Sequence, residues 1–127
     1  MNRYLLSTYR VSGEVPGAPA SEEEMNDFMT RVSALEENME AEGVFVFGGA
    51  LRDPDSASVV NTGDMLTTDG PFAEAKEHIA GFYIINAADD EDARTWARRV
   101  AKATNHPIEV WPFAATGRVK DMARDTP

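Results

Sequence analysis

Thr68-Asp69-Gly70-Pro71-Phe72-Ala73-Glu74-Ala75-Lys76-Glu77-His78-Ile79-Ala80-Gly81-Phe82-Tyr83 is the stretch of sequence that decides the fold. It combines a turn, several ionisable side chains and the start of an apolar strand within sixteen residues. The Gly-Pro pair after Asp69 favours a tight turn followed by a short helical segment. The apolar run 79–87 then has the composition of a β-strand.

Regular elements are also predicted on both sides of this stretch. They are a strand at 4–11, an amphipathic helix from Ser21 to about Glu42, a strand at 44–47 that ends at Gly48-Gly49, a hairpin of 57–60 with 65–68, a helix after 89–92, and a strand at 108–113. This order predicts an α+β fold, a ferredoxin-like split βαβ sandwich with an extra β-hairpin. Both helices should cover one sheet face, and we expect another copy of the chain to bury the other face.

Length and composition indicate one soluble domain. The chain has 127 residues, of which 43% are hydrophobic, enough for a single core. We expect the domain to span 1–113, with 114–127 as a weakly periodic C-terminal tail. No apolar run approaches the ~18 residues of a membrane span, and the start does not resemble a signal peptide, so a cytoplasmic protein without membrane contacts is expected.

Charge and motif content exclude several classes of function. The net charge is −10, which disfavours nucleic-acid binding because the acidic excess repels phosphates. The chain has no cysteine, so thiolate chemistry and cysteine-based metal sites are excluded. Phosphate-loop, dinucleotide-binding and serine-hydrolase motifs are missing, and we expect no cofactor.

The string Asp69-Gly70-Pro71-Phe72, followed by Glu74, Lys76 and Glu77, resembles the signature of the YCII-related, or DGPF-domain, family. The similarity extends over about 3–113 and includes Gly48-Gly49-Ala50-Leu51 and the closing Glu109-Val110-Trp111-Pro112. It implies a ferredoxin-like fold that forms dimeric α+β barrels. It also implies a possible His-Asp dyad, although the first predicted helix here contains no histidine.

Three residues are candidates for acid-base catalysis: Asp69, Glu74 and His78. Asp69 would serve as a general base beside a glycine that leaves room for a ligand. Its alternative role is to cap the short helical segment, with Pro71 at the first helical position. Glu74 and His78 are four residues apart and would share a helix face, either as an acid-base pair or as an ordinary surface pair. A metal site at these three residues is disfavoured because only one is a histidine, so none is predicted.

Ligand contacts are predicted for Tyr9, Gly49, Arg52, Gly70 and Lys76. The ends of strands and their loops converge in this fold, which would bring Tyr9 and Arg52 to one cleft beside the Asp-Gly-Pro-Phe segment. The alternatives are a boundary tyrosine that packs in the core and a solvated loop arginine.

The leading functional hypothesis is a small homodimer that binds an unknown small organic molecule in this cleft, with cofactor-free acid-base chemistry. The alternative is a noncatalytic ligand-binding or regulatory module linked to transcription, since relatives of this family are at times fused to sigma-factor domains. A third hypothesis is that the Asp-Gly-Pro-Phe segment is purely structural and fixes the turn and the dimer.

Overall fold

A four-stranded antiparallel sheet forms the centre of the protein in the computed structural model, which describes residues 2–11, 21–63, 66–71 and 77–124. Its strands are β1 (Asn2–Val11), β2 (Phe45–Ala50), β5 (Glu77–Ala87) and β6 (Glu109–Pro112). They lie in the order β2-β5-β1-β6, and all three strand pairs are antiparallel. The predicted α+β class is confirmed. The described residues form no closed barrel within the chain.

Two capped helices follow the predicted positions. Helix α1 (Glu22–Ala41) begins after Ser21, whose hydroxyl accepts a hydrogen bond from the Glu24 N–H at 3.1 Å. Helix α2 (Asp90–Thr104) begins after Asp89, whose carboxylate accepts from the Asp92 N–H at 2.8 Å. Such caps satisfy N–H groups that have no partner within the helix. Neither described helix is long and apolar enough to cross a bilayer.

The core lies between the two helices and one face of the sheet. It consists of Tyr4 and Leu6 of β1, Ile85 and Ala87 of β5, Leu35 and Met39 of α1, Ala93, Trp96, Ala97, Val100 and Ala103 of α2, and Val44, which directly precedes β2. Both helices therefore cover the same face, as the sequence predicts. Side chains alternate between the two faces of a strand, so Leu5, Ser7 and Tyr9 point away from the helices.

The face opposite the helices, which we call the open face, is organised in rows of paired residues. The central row is Phe47, Ile84, Leu5 and Trp111, and the next row is Gly49, Phe82, Ser7 and Glu109. Phe47 and Trp111 remain 58% and 56% exposed. Both helices lie against the other face, and this one presents aromatic side chains to solvent.

The extra hairpin is also present, as a separate two-stranded sheet. Strands β3 (Ser58–Val60) and β4 (Thr67–Asp69) pair with Ser58 opposite Asp69. Two very short strands, β7 (Ala115–Thr116) and β8 (Ala123–Arg124), pair within the predicted tail, so part of the tail has regular structure.

The predicted end of strand β2 is wrong. Strand β2 does not end at Gly48-Gly49 but continues through both glycines to Ala50, and its register shift lies earlier, between Phe45 and Phe47. The backbone passes close to a ring at Gly48, where a Cβ atom would lie 2.7 Å from Cδ1 of Tyr83. The pair thus makes room for a ring inside the sheet.

Candidate functional site

The Asp-Gly-Pro-Phe segment begins at the end of the β3–β4 hairpin. Asp69 is the last residue of β4 and is exposed. Gly70 has a positive φ of 83°, and its N–H donates to the Ala57 carbonyl at 2.6 Å. A left-handed conformation favours glycine, so Gly70 has a structural reason to be there. The predicted Glu74 and Lys76 lie outside the described residues.

His78 is not helical, so the predicted helix face shared with Glu74 is wrong for this residue. Strand β5 begins at Glu77, and His78 pairs in it with Arg10 of β1. The neighbouring pair is Ile79 with Tyr9. Since adjacent strand residues point to opposite faces, His78 and Tyr9 lie on opposite sides of the sheet. The pairing with β1 continues the strand two residues beyond the apolar run.

Two of the predicted ligand contacts, Tyr9 and Arg52, nevertheless lie toward the same end of the sheet. There β1 ends after Tyr9, β5 begins after the Asp-Gly-Pro-Phe segment, and β2 ends before Arg52. The Leu51 N–H donates to the Ala80 carbonyl at 2.7 Å, which holds the loop containing Arg52 against β5. Arg52 is exposed and Tyr9 is partly buried. Gly49 lies on the open face and borders Phe82, two strands away from Tyr9.

A carboxylate on the open face was missed by the sequence analysis. Glu109 of β6 accepts hydrogen bonds on Oε1 from the Tyr9 hydroxyl at 3.1 Å and from Nε1 of Trp111. It pairs in the sheet with Ser7, whose fully buried hydroxyl has no hydrogen-bond partner within the described structure. Two donors from different strands fix this carboxylate at the margin of an apolar surface, where it can bind a cation or a hydrogen-bond donor.

The strand predicted at 108–113 already placed Glu109 and Trp111 on one face, because residues two apart in a strand point the same way. Tyr9, which is 100 residues away in the chain, could be added only once the pairing of β1 with β6 was known.

A second polar pair lies on the helix side of the sheet. The Tyr83 hydroxyl donates to Glu36 of α1, and the Tyr83 ring packs edge-on against Phe45, with ring centroids 6.1 Å apart. Burial, followed by the hydrogen bond to Glu36, raises the pKa of Tyr83 well above its ordinary value of 10. The ring stays neutral at physiological pH, which makes it a hydrogen-bond donor and not a base.

Metal binding finds no support in this part of the chain. Among the described residues, no group of three or more histidine, cysteine, aspartate or glutamate side chains could hold a metal ion.

Comparison with known proteins gives a family match and one curated relative. The family model described as YCII-related domain matches residues 12–114. A protein of Rhizobium meliloti (strain 1021) named uncharacterized protein R00369 is 39% identical over 56 residues. That alignment covers 42% of this chain and 45% of the relative. It therefore spans less than half of the relative's length, and the relative's name states no activity.

Proposed function

We propose that this chain, which belongs to the YCII-related family, is a homodimer that binds a small organic molecule beside the segment Asp69 to Phe72. The observation that carries the proposal is the open face, where exposed aromatic side chains line the side of the sheet opposite both helices. The strand order and the placement of both helices on one side support a ferredoxin-like sandwich. Two such sheets packed face to face would form the dimeric α+β barrel.

Burial of apolar area favours this association. Phe47, Trp111, Leu51 and Ile79 each expose more than a third of their surface, and all lie on β2, β5 or β6 or directly after them. Large apolar patches on soluble proteins mark interaction sites. Full burial of one such side chain contributes about 1.5–3 kcal/mol, so a few of them offset much of the entropic cost of association.

The ligand site is proposed at the end of the sheet where Tyr9, Arg52 and the start of β5 meet. Strand β4 ends at Asp69, and the next strand along the chain, β5, begins at this end of the sheet. Asp69, Glu74 and His78 are the proposed groups for cofactor-free acid-base chemistry, with Arg52 and Lys76 as contacts for an anionic part of the ligand.

The exposure of Asp69 favours a second candidate, a noncatalytic ligand-binding or regulatory module. General bases are commonly found in partly buried clefts that tune their pKa, whereas Asp69 lies on an exposed hairpin end. His78 and Tyr9 also lie on opposite sheet faces, which separates two of the proposed site residues. In this case the protein would bind its ligand without turnover and pass the signal to a transcription partner.

The dimer is tested by a pair of substitutions matched in exposure. Phe47→Asp places a charge on the open face, whereas Met29→Asp places one on α1, where Met29 is 54% exposed. We expect Phe47→Asp to sediment as a monomer and Met29→Asp to remain a dimer, because a buried unpaired charge opposes association. Two dimeric variants, or a monomeric wild-type protein, would contradict the proposal.

The ligand site is tested by a thermal-shift screen of the wild-type protein against a metabolite library. A compound that binds only the native state raises the melting temperature. We expect the shift to vanish in Asp69→Asn and to persist in Asp55→Asn, which removes another exposed carboxylate, from the turn before β3. Turnover of the compound that is lost in Asp69→Asn supports the enzyme, and binding without turnover supports the regulatory module. A shift that survives in Asp69→Asn would refute this location.

A further inference from the structure

Charges on the open face are arranged on either side of its apolar central row. Arg3 of β1 pairs with Asn86 of β5. Arg3 lies two residues before Leu5 and Asn86 lies two residues after Ile84, so the pair forms a polar row on the same face as the central row. The row that contains Glu109 lies on the other side of Leu5. The face therefore has a cation at one flank, an anion at the opposite flank, and apolar side chains between them.

A two-fold axis along the central row would bring unlike charges together. In β1, Arg3 precedes Leu5 by two residues and Ser7 follows it by two, so a rotation about the Leu5 row exchanges their positions. Glu109 lies one strand from Ser7, about 5 Å away. An isologous interface repeats each contact twice, so both flanks would be matched at once. The central row, with Trp111 and Phe47 at its two ends, would then meet its own copy.

Both side chains have the chemistry for this contact. The Arg3 Nε–H donates a long hydrogen bond of 3.4 Å to Asn86, and within the described structure no other bond of its guanidinium is present, although that group has five N–H donors. Both hydrogen bonds that Glu109 receives from the described residues end on Oε1. An arginine side chain is long enough to cross much of the ~10 Å between two packed sheets. A carboxylate held in place and a guanidinium with free donors are suited to a charge-assisted pair.

We infer that a second copy of this chain covers the open face with Arg3 of each protomer paired to Glu109 of the other, and this inference rests on the proposed homodimer. The pairing fixes the register in which the two sheets pack. It also places the neighbouring Ser7 hydroxyl, which has no partner among the described residues, beneath an interprotomer ion pair. Arg52, two residues beyond the end of β2, lies outside the paired rows.

Charge reversal tests the pairing. Arg3→Glu and Glu109→Arg should each raise the dimer Kd on the order of 100-fold, because like charges would then face each other at both symmetry-related sites. The double variant restores opposite charges and should recover most of the wild-type affinity. Lys102→Glu on α2 and Glu37→Arg on α1 change the charge equally at exposed positions on the helix side and should leave the Kd within about threefold of wild type.

The Kd of each variant is measured by sedimentation equilibrium in low salt, and its circular dichroism spectrum is compared with that of the wild-type protein. If the wild-type protein is a dimer and neither single reversal changes its Kd, the Arg3–Glu109 register is wrong although the dimer exists. A double variant whose dimer is no tighter than those of the single variants would contradict the register in the same way. A monomeric wild-type protein would instead overturn the proposed homodimer itself.

Discussion

Gly48→Ala should destabilise the protein, because the ring of Tyr83 fills the space that a side chain would need. An added Cβ atom would lie 2.7 Å from Cδ1 and 3.1 Å from Cε1 of Tyr83, and 3.3 Å from the Phe82 carbonyl oxygen. The first distance is shorter than real Cβ contacts and the other two are tight, so the ring or the strand has to move. Overpacking of this kind costs about 1–3 kcal/mol.

The Tyr83 ring cannot move without losing other contacts. Its hydroxyl bonds to Glu36 and its edge packs on Phe45. The adjacent Gly49 provides the matched control, since a Cβ atom there would meet the Phe82 ring at an ordinary distance of 3.7 Å. Gly49→Ala should be neutral or stabilising by up to about 1 kcal/mol, because alanine lowers the entropy of the unfolded chain.

Urea denaturation at one fixed protein concentration measures the unfolding free energy of both variants. We expect Gly48→Ala to be less stable than Gly49→Ala by about 1–3 kcal/mol. The difference should shrink when Tyr83 is also replaced by leucine, which lacks the ring atoms that cause the clash. Equal stability of the two alanine variants, within about 0.5 kcal/mol, would refute the role assigned to Gly48.

Three further predictions concern a helix cap, a turn and a titrating tyrosine. Ser21→Ala removes the acceptor for the Glu24 N–H and should cost about 0.5–2 kcal/mol of unfolding free energy, whereas Ser21→Asp should retain most of the stability. Gly70→Ala should lower the melting temperature because the φ of 83° at this position strains an alanine. Asp69→Asn, at an exposed position, should change the unfolding free energy by less than about 0.5 kcal/mol. A larger loss of stability in Asp69→Asn than in Gly70→Ala would make Asp69 the structural residue of the turn. The folded-state pKa of Tyr83 is raised above 10, so its contribution to stability is fully present below pH 10 and is lost as the pH rises further. In denaturation experiments, Tyr83→Phe should therefore lose less stability than the wild-type protein between about pH 10 and 11. Equal losses would contradict the bond to Glu36.

Local signals in the sequence were sufficient for the helices. Ser21 and Asp89 precede acidic first turns, and the bonds that cap each helix involve residues only three positions apart. Apolar residues at helical spacing then identify the face that packs on the sheet. Such features need no knowledge of the rest of the chain, which explains why the helices and their shared face were predicted correctly.

Long-range pairing determined what the sequence did not reveal. His78 follows a segment with helical signals, but its partner Arg10 in β1 holds it in a strand. Glu109 gains its hydrogen bond from Tyr9 only because β1 lies between β5 and β6. Strand β2 continues through its glycines because they pair with Tyr83 and Phe82 of β5. Each of these contacts depends on sheet order, which tertiary packing sets.

Radical footprinting of the wild-type protein tests most directly whether a second copy covers the open face. Hydroxyl radicals oxidise exposed side chains, and Trp111 and Met29 are exposed to nearly the same extent in a single chain, at 56% and 54%. We expect oxidation of Trp111 to fall as the protein concentration rises and dimers form, while oxidation of Met29 on α1 stays constant. Trp111 oxidation that stays constant in a sample with twice the 13.9 kDa mass of one chain would show that the dimer uses another surface, and would contradict the account.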